Sequence, residues 1–126
     1  MICGYLACTF DLLNVGDLDV IAQARDLCDV LTVGVYSDEL VLLGSGLPPV
    51  VPLAERTALL RHVRGVDVVV VHDEHASDAA ADRVFTVAGD PVGRVRLDAI
   101  KLVPRRETAS RELREALAPN LQRGVA

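Results

Sequence analysis

At 126 residues the chain has the length of one domain, and with 51% of its residues apolar it can bury a core without a disulfide or a metal to staple it. Trp is absent and aromatic residues make up 3%, so that core is aliphatic, built from Val, Leu, Ile and Ala. A net charge of −5 with no basic cluster excludes nucleic acid as a main partner, since a phosphate backbone needs a concentrated Lys/Arg footprint; a small anion in one locally positive pocket stays allowed.

Residues 1–118 read as a single domain and 119–126, beginning at Pro119, as a C-terminal tail. No basic segment followed by an apolar core opens the chain and no apolar run approaches ~20 residues, so a cytoplasmic protein with no membrane partner is expected. Cys3, Cys8 and Cys28 are odd in number and lack metal-type spacing, which reads as reduced thiols rather than ligands.

In chain order, Met1 to Thr9 is mostly apolar, as an interior parallel strand is. From Asp17 the residues Leu18, Ile21, Ala24, Leu27 and Cys28 recur at helical spacing and predict a first helix with that face buried. Val30 to Tyr36, short and β-branched, predicts a second strand. Ser37 to Val51 contains Gly44, Gly46, Pro48 and Pro49 and reads as a loop. Pro52 suits a first helical turn, and Leu53, Thr57, Leu60 and Val63 then line one helix face up to Gly65. Val66 to Val71 is a third strand whose unbroken apolar run predicts cover on both faces. The Ala-rich stretch Glu74 to Asp82 predicts a short helix, Val84 to Ala88 a fourth strand, and Gly89-Asp90-Pro91 a turn. A fifth strand is expected within Leu97 to Val103, followed by a helix capped by Thr108 or Ser110 with Leu113, Ala116 and Leu117 inward.

Strands alternating with helices predict an α/β fold, a Rossmann-like doubly wound sheet of five parallel strands. Ligands of such sheets bind beyond the carboxyl ends of the strands, which brings Phe10 to Asp17, Gly89 to Arg94 and Arg105 to Ser110 to one crevice. The first of these is a strand-to-helix turn. The leading N–H groups of a helix lack intrahelical partners and carry the positive end of its dipole, so a phosphate there is solvated by backbone, with Gly16 allowing close approach.

The stretch Thr9-Phe10-Asp11-Leu12-Leu13-Asn14-Val15-Gly16-Asp17 also resembles the signature of the cytidylyltransferases, the glycerol-3-phosphate cytidylyltransferase branch in particular, which reads Gly-Thr-Phe-Asp-Leu-Leu-His-x-Gly-His. The similarity continues through Ala24 to Asp29, Ser37-Asp38-Glu39, Pro52 to Arg56, Val66-Asp67, Gly89-Asp90, Pro104-Arg105 and Thr108-Ala109-Ser110. The resemblance implies a nucleotidyltransferase fold, commonly homodimeric, that moves CMP from CTP, accompanied by Mg2+, to a small phosphorylated acceptor. It implies nucleotide-binding roles for Thr9, Phe10, Asp11, Gly16, Gly89, Asp90, Arg105, Thr108 and Ser110, and a phosphate role for Arg56. Either Arg105 or Arg106 answers to the arginine upstream of the last helix.

Asn14 and Asp17 stand where the family carries its two histidines. Asn14 still donates a neutral hydrogen bond, while an ionised Asp17 repels a triphosphate and supplies no N–H. Loss of one preorganised donor costs ~10²–10³ in rate, so two losses and a repulsion predict a fall on the order of 10⁴ or more. The loop Leu43 to Pro48 lacks the basic residues that meet the acceptor phosphate in the family, the sole lysine being Lys101, and Pro91 shortens the base-side loop.

The expected state is therefore a nucleotide- or phosphate-binding relative, impaired or inactive in transfer. Two alternatives remain: an active cytidylyltransferase using glycerol 3-phosphate or a similar acceptor, with Asp17 holding Mg2+, and a scaffold reused for other chemistry with Asp17 as acid/base near Asn14. Simpler roles compete at each position: Asp17 as a helix N-terminal acid, Arg56 as a solvated helix arginine, Thr108 and Ser110 as caps. His72-Asp73-Glu74-His75 lacks a third ligand at metal spacing and reads as a loop after the third strand, and His62 as a surface residue, so no metal site is expected in the protein itself.

Overall fold

The computed structural model describes residues 1–90, 92, 98–106 and 112–117. Five strands, β1 (Cys3–Cys8), β2 (Val30–Tyr36), β3 (Val68–His72), β4 (Arg83–Val87) and β5 (Ile100–Leu102), form one sheet in the order β3-β2-β1-β4-β5. Every pairing is parallel. The helices are α1 (Val15–Asp26), α2 (Asp38–Ser45) and α3 (Leu53–Leu60), and residues 112–117 are helical. This is the Rossmann-like five-stranded architecture expected. Two strands run outward from β1 on one side and two on the other, so the strand order reverses between the carboxyl ends of β1 and β4.

Side-chain alternation divides the sheet into two faces. Leu6, Cys8, Leu31, Val33, Val35 and Phe85 point to one of them, where they meet α1 and Leu60 of α3 in a single aliphatic cluster. Tyr5 points to the other, where its hydroxyl bonds His72 Nδ1 at 2.7 Å and its ring fills the space that the missing Cβ of Gly34 leaves open. All three cysteines are free thiols.

Five local expectations differ from the structure. The 37–51 stretch is a loop only in its second half: Ser37 Oγ accepts the Leu40 N–H at 3.2 Å, Asp38 and Glu39 fill the first turn of α2, and Gly46, at φ +79, closes it. Its Gly and Pro residues terminate a helix rather than forbid one. The stretch Glu74 to Asp82 forms turns, not a helix, because Asp73 Oδ1 captures the His75 N–H and Ser77 Oγ the Ala79 N–H, groups a helix needs for its own ladder.

The third strand is not covered throughout. β3 is an edge strand with Val68 and Val71 close to half exposed, since a strand with one neighbour loses lateral cover whatever its composition. The buried stripe of α1 is Gly16, Val20, Ile21 and Ala24, so Ile21 and Ala24 are placed as expected while Leu18 and Leu27 stay partly exposed. In the last helix the phase is also turned: Leu113 and Leu117 are exposed, and Arg114 faces inward. The caps expected at Thr108 and Ser110, and the tail at 119–126, lie outside the described residues. Among the described residues no helix is long and apolar enough to cross a membrane.

Close packing between β1 and α1 depends on Gly4, where an added Cβ would lie 2.8 Å from both Cys28 Sγ and the Phe85 ring. Phe85 is 1% exposed and has no room to retreat. Gly4→Ala is expected to lower stability by about 1–3 kcal/mol, read as a reduced denaturant midpoint with an unchanged slope.

Candidate functional site

The turn that follows β1 has a demanding backbone. Phe10 and Leu12 both adopt φ 53, a left-handed conformation that bulky residues seldom take and that costs about 1–3 kcal/mol each. Packing and hydrogen bonds hold it. Phe10 is buried in the aliphatic cluster, and Asp11 between the two is anchored from three sides. Its Oδ2 accepts the Val50 N–H at 2.9 Å and Arg114 Nε at 2.8 Å, and its Oδ1 accepts the Val51 N–H at 2.9 Å. Arg114 in turn donates through Nη2 to Ser45 Oγ at 3.2 Å and to the Leu47 carbonyl at 3.1 Å.

Asn14 is the N-cap of α1. Its Oδ1 accepts the N–H groups of Gly16 at 2.8 Å and Asp17 at 3.1 Å, its Nδ2 donates to the Leu12 carbonyl, and Asp17 Oδ2 returns a long bond, 3.3 Å, from the Asn14 N–H. This is a complete capping box. Two of the first-turn N–H groups that the sequence offers to a phosphate, those of Gly16 and Asp17, are thus bonded to the Asn14 side chain. A short polar residue at this position makes these bonds because its oxygen reaches the second and third N–H without leaving extended backbone.

Burial raises the Asp17 carboxyl from 3.8 to about 7; the Asn14 hydrogen bond opposes the shift, and the charges of Asp90 and Asp11 reinforce it. Near neutrality Asp17 is divided between its charged and neutral forms, in place of the fully ionised acid expected from sequence.

Gly89 turns the chain after β4 at φ +84 and aims Asp90 back at β1. Asp90 Oδ2 accepts the Thr9 N–H at 2.9 Å and the Cys8 thiol at 2.7 Å, and its Oδ1 accepts Thr9 Oγ1 at 3.0 Å and the Val92 N–H at 2.9 Å. Asp90 thus fastens the carboxyl ends of the two strands between which the order reverses. Burial pushes the Cys8 thiol well above its usual range, with the charges of Asp90 and then Asp17 adding to it, so it remains a thiol.

Asp11, Asn14, Asp17, Gly89, Asp90 and Arg114 share the wall of one cavity of about 320 Å³ at this switch point, together with Thr9, Phe10 and Gly16. The volume lies at the small end of the range for ligand pockets. Arg114 is the only cation among its described lining residues, which also include the carboxyl groups of Asp11, Asp17, Asp90 and Glu115, and it pairs with Asp11. Sequence reasoning missed Arg114. In the chain it is one basic residue between two leucines, and nothing local announces a partner 103 residues earlier.

Two expected residues lie elsewhere. Arg56 is 1% exposed and is neither a solvated helix arginine nor part of the cavity wall. It donates to the carbonyls of Val51 (2.9 Å), Thr9 (2.8 Å) and Tyr36 (2.8 Å) and to Asp38 Oδ1 (2.5 Å), joining the ends of β1 and β2 to α2. Arg105 runs along the outside of α1, two-thirds exposed, with Nη2 and its own backbone N–H bonded to Asp19, whose carboxyl is held down to about 2 by the arginine side chain. Thr108 and Ser110 lie outside the described residues. His72 belongs to the Tyr5 contact, and His75 pairs with Glu74 on the surface.

Arg56→Lys keeps the charge but leaves buried carbonyl groups without donors, and a loss of about 3 kcal/mol is expected in chemical denaturation. For Asp17 the sign follows from the raised folded-state value. The folded chain holds a proton there that the unfolded chain releases near pH 4, so this group's contribution falls as pH rises from about 4 to about 7 and stays low above it. Asp17→Asn retains a cap acceptor, and its stability is expected to gain on the wild type across that window by an amount on the order of a few kcal/mol, read as a melting temperature that falls less than the wild type's between about pH 4 and about pH 7.

Comparison with known proteins gives the family and the fold. A family model described as Cytidylyltransferase-like matches residues 5–118. FAD synthase of Pyrococcus abyssi is 32% identical over 108 residues, 86% of this chain and 66% of that protein. Ethanolamine-phosphate cytidylyltransferase of Arabidopsis thaliana is 42% identical over 66 residues, 52% of this chain and 15% of that one. The chain thus spans from 15% to 66% of the length of these two curated relatives. A solved structure, that of the lipopolysaccharide core biosynthesis protein from Thermoplasma volcanium GSS1, superimposes with a TM-score of 0.68 at 17% identity, covering 86% of this chain and 99% of that one, and so shares the fold. The family match spans most of the chain and takes in both strand ends that frame the cavity: the chain belongs to the cytidylyltransferase-like family of nucleotidyltransferase fold.

Proposed function

We propose that this chain binds a nucleotide through its phosphates in the cavity between β1 and β4 and is impaired, or inactive, in nucleotidyl transfer. The observation that carries this reading is the capping box: the N–H groups of Gly16 and Asp17 are already bonded to Asn14, and an acid stands at the cavity wall. Stabilising the charge that grows on a departing pyrophosphate needs preorganised donors, because positioning and electrostatics supply nearly all of the acceleration in phosphoryl-type transfer. Arg114 offers a cation for binding. The two histidines of the signature that the sequence resembles are replaced by Asn14 and Asp17, which supports reading the motif as degenerate, and the resemblance of residues 9–17 to the glycerol-3-phosphate branch is part of the same proposal.

Asp11 and Asp90 have their oxygens engaged by protein donors, whereas Asp17 is a carboxylate of the described cavity wall that could join a Mg2+ taking its remaining ligands from phosphate and water. A second reading, reuse of the scaffold with Asp17 as a general acid/base, draws on its shift to about 7, where proton transfer is most effective near neutral pH.

Calorimetric titration with CTP and ATP, with and without Mg2+, beside a pyrophosphate-release assay with CTP and glycerol 3-phosphate, separates these readings. Binding of CTP with release on the order of 10⁴ below a competent cytidylyltransferase is expected. Turnover at family-like rates refutes impairment. Asn14→His combined with Asp17→His frees the α1 N–H groups and removes the acid, so nucleotide affinity is expected to rise; an unchanged dissociation constant means these two positions do not limit binding.

A further inference from the structure

The 112–117 helix is docked with its polar side inward. Leu113 and Leu117 are 54% and 42% exposed, while the Arg114 side chain is 11% exposed and Arg114 alone of these six residues is not an exposed one. Packing by itself selects the reverse phase: a guanidinium loses hydration on burial that pairing with a carboxylate at best returns, whereas a leucine gains by it. A local rule broken without a gain in stability marks a residue kept for a ligand, and Arg114 lies on the wall of the cavity between β1 and β4.

Its donors are divided unevenly. A guanidinium carries five N–H groups. Nε bonds Asp11 Oδ2 at 2.8 Å, and Nη2 bonds Ser45 Oγ at 3.2 Å and the Leu47 carbonyl at 3.1 Å. Among the described residues the two N–H groups of Nη1 make no hydrogen bond. Asp11, Ser45 and Leu47 thus fix the plane of the cation and leave one nitrogen to a ligand, which binds with no side chain left to order. One nitrogen with two N–H groups serves one phosphate group. Each phosphate beyond it adds negative charge beside a wall that includes the carboxyl groups of Asp11, Asp17, Asp90 and Glu115, with Arg114 as its only described cation.

We infer that Arg114 is the phosphate-binding residue of this cavity and that it holds a single phosphate group, so that without a metal a nucleoside monophosphate binds more tightly than its triphosphate. The inference rests on the nucleotide-binding reading of the site and names the class of nucleotide it takes. Binding is by charge-assisted hydrogen bonds alone; no covalent bond forms or breaks. The pair with Asp11 persists, since the ligand takes the nitrogen that Asp11 does not use.

The test is calorimetric titration of the full chain, chelator present, with cytidine, CMP and CTP and with adenosine, AMP and ATP. Wild type is expected to bind one monophosphate about tenfold or more tightly than its nucleoside, and several-fold more tightly than its triphosphate. In Arg114→Gln the monophosphate is expected to fall to the affinity of the nucleoside, whose own binding stays within about twofold. Arg114→Lys cannot rebuild the bonds to Ser45 and Leu47 but keeps the cation, and is expected to recover part of the monophosphate preference. An Arg114 that only supports the wall gives another pattern: nucleoside and monophosphate weaken in equal proportion in both variants, which overturns the assignment. So does a monophosphate preference that survives Arg114→Gln. A triphosphate that binds wild type as tightly as the monophosphate, metal absent, overturns the single-phosphate reading. Absence of binding by all six compounds overturns the nucleotide reading, and this assignment with it. Should Arg114→Gln not fold, the wild-type order of affinities and the partial preference of Arg114→Lys decide.

Discussion

The carboxylate of Asp11 ties together the parts on which the site depends. It stands in a turn whose flanking residues, Phe10 and Leu12, adopt unfavourable backbone conformations, and it bonds the Val50–Val51 backbone on one side and Arg114 on the other. Without that anchor the turn keeps only the Asn14 bond to the Leu12 carbonyl to offset its strain, the segment between α2 and α3 loses its hydrogen bonds to the turn, and the 112–117 helix loses its ion pair. A buried pair of this kind is costly to break, by about 3–5 kcal/mol, because the surviving charge is left unsolvated. The anchoring residue and its partners also form the wall of the cavity, so stability and ligand access are drawn from the same few atoms.

The N-terminus of α1 shows a related competition. A helix start can give its N–H groups to a ligand or to its own cap, and Asn14 with Asp17 takes the second course. The arrangement stabilises α1 with no ligand present and places an acid, displaced toward neutrality by burial, where the positive end of the helix dipole would otherwise meet solvent or phosphate. Any anion that enters must contend with that acid and approach Arg114, whose guanidinium is already shared among Asp11, Ser45 and Leu47. The electrostatics of the cavity follow from the choice of cap as much as from net charge.

Topology sets where this happens. β1 lies at the centre of the sheet with β4 beside it, and Asp90 crosses from the end of one strand to bond the last residues of the other. Arg56 performs the corresponding task between β1, β2 and α2 from beneath, buried and fully committed to backbone carbonyls and Asp38. Residues that sequence similarity singles out for ligand contact therefore include some that shape the crevice by holding its walls: Thr9, Asp11, Asp90 and Arg56 each use hydrogen bonds to protein groups to do so.

Local chemistry determined a good deal on its own. The apolar runs at 30–36 and 84–88, the alternation of strands with helices and the punctuation by Gly65 and Gly89 were legible in the chain, and with them the parallel sheet and the turns that meet at its carboxyl edge. Apolar spacing starts the first helix at Asp17, and the structure sets its cap three residues earlier, at Asn14. What only the tertiary structure decided were relations between distant segments. Whether Val66 to Val71 runs at the edge or the middle of the sheet, which side of the last helix turns inward, whether Arg56 meets solvent or buried carbonyls, and how many donors each aspartate receives depend on packing across tens of residues. A charge on a side chain is written in the sequence, but its proton affinity and its reach are set by the neighbours that folding brings to it, which is why Arg114 and the near-neutral Asp17 emerge only when the chain is folded.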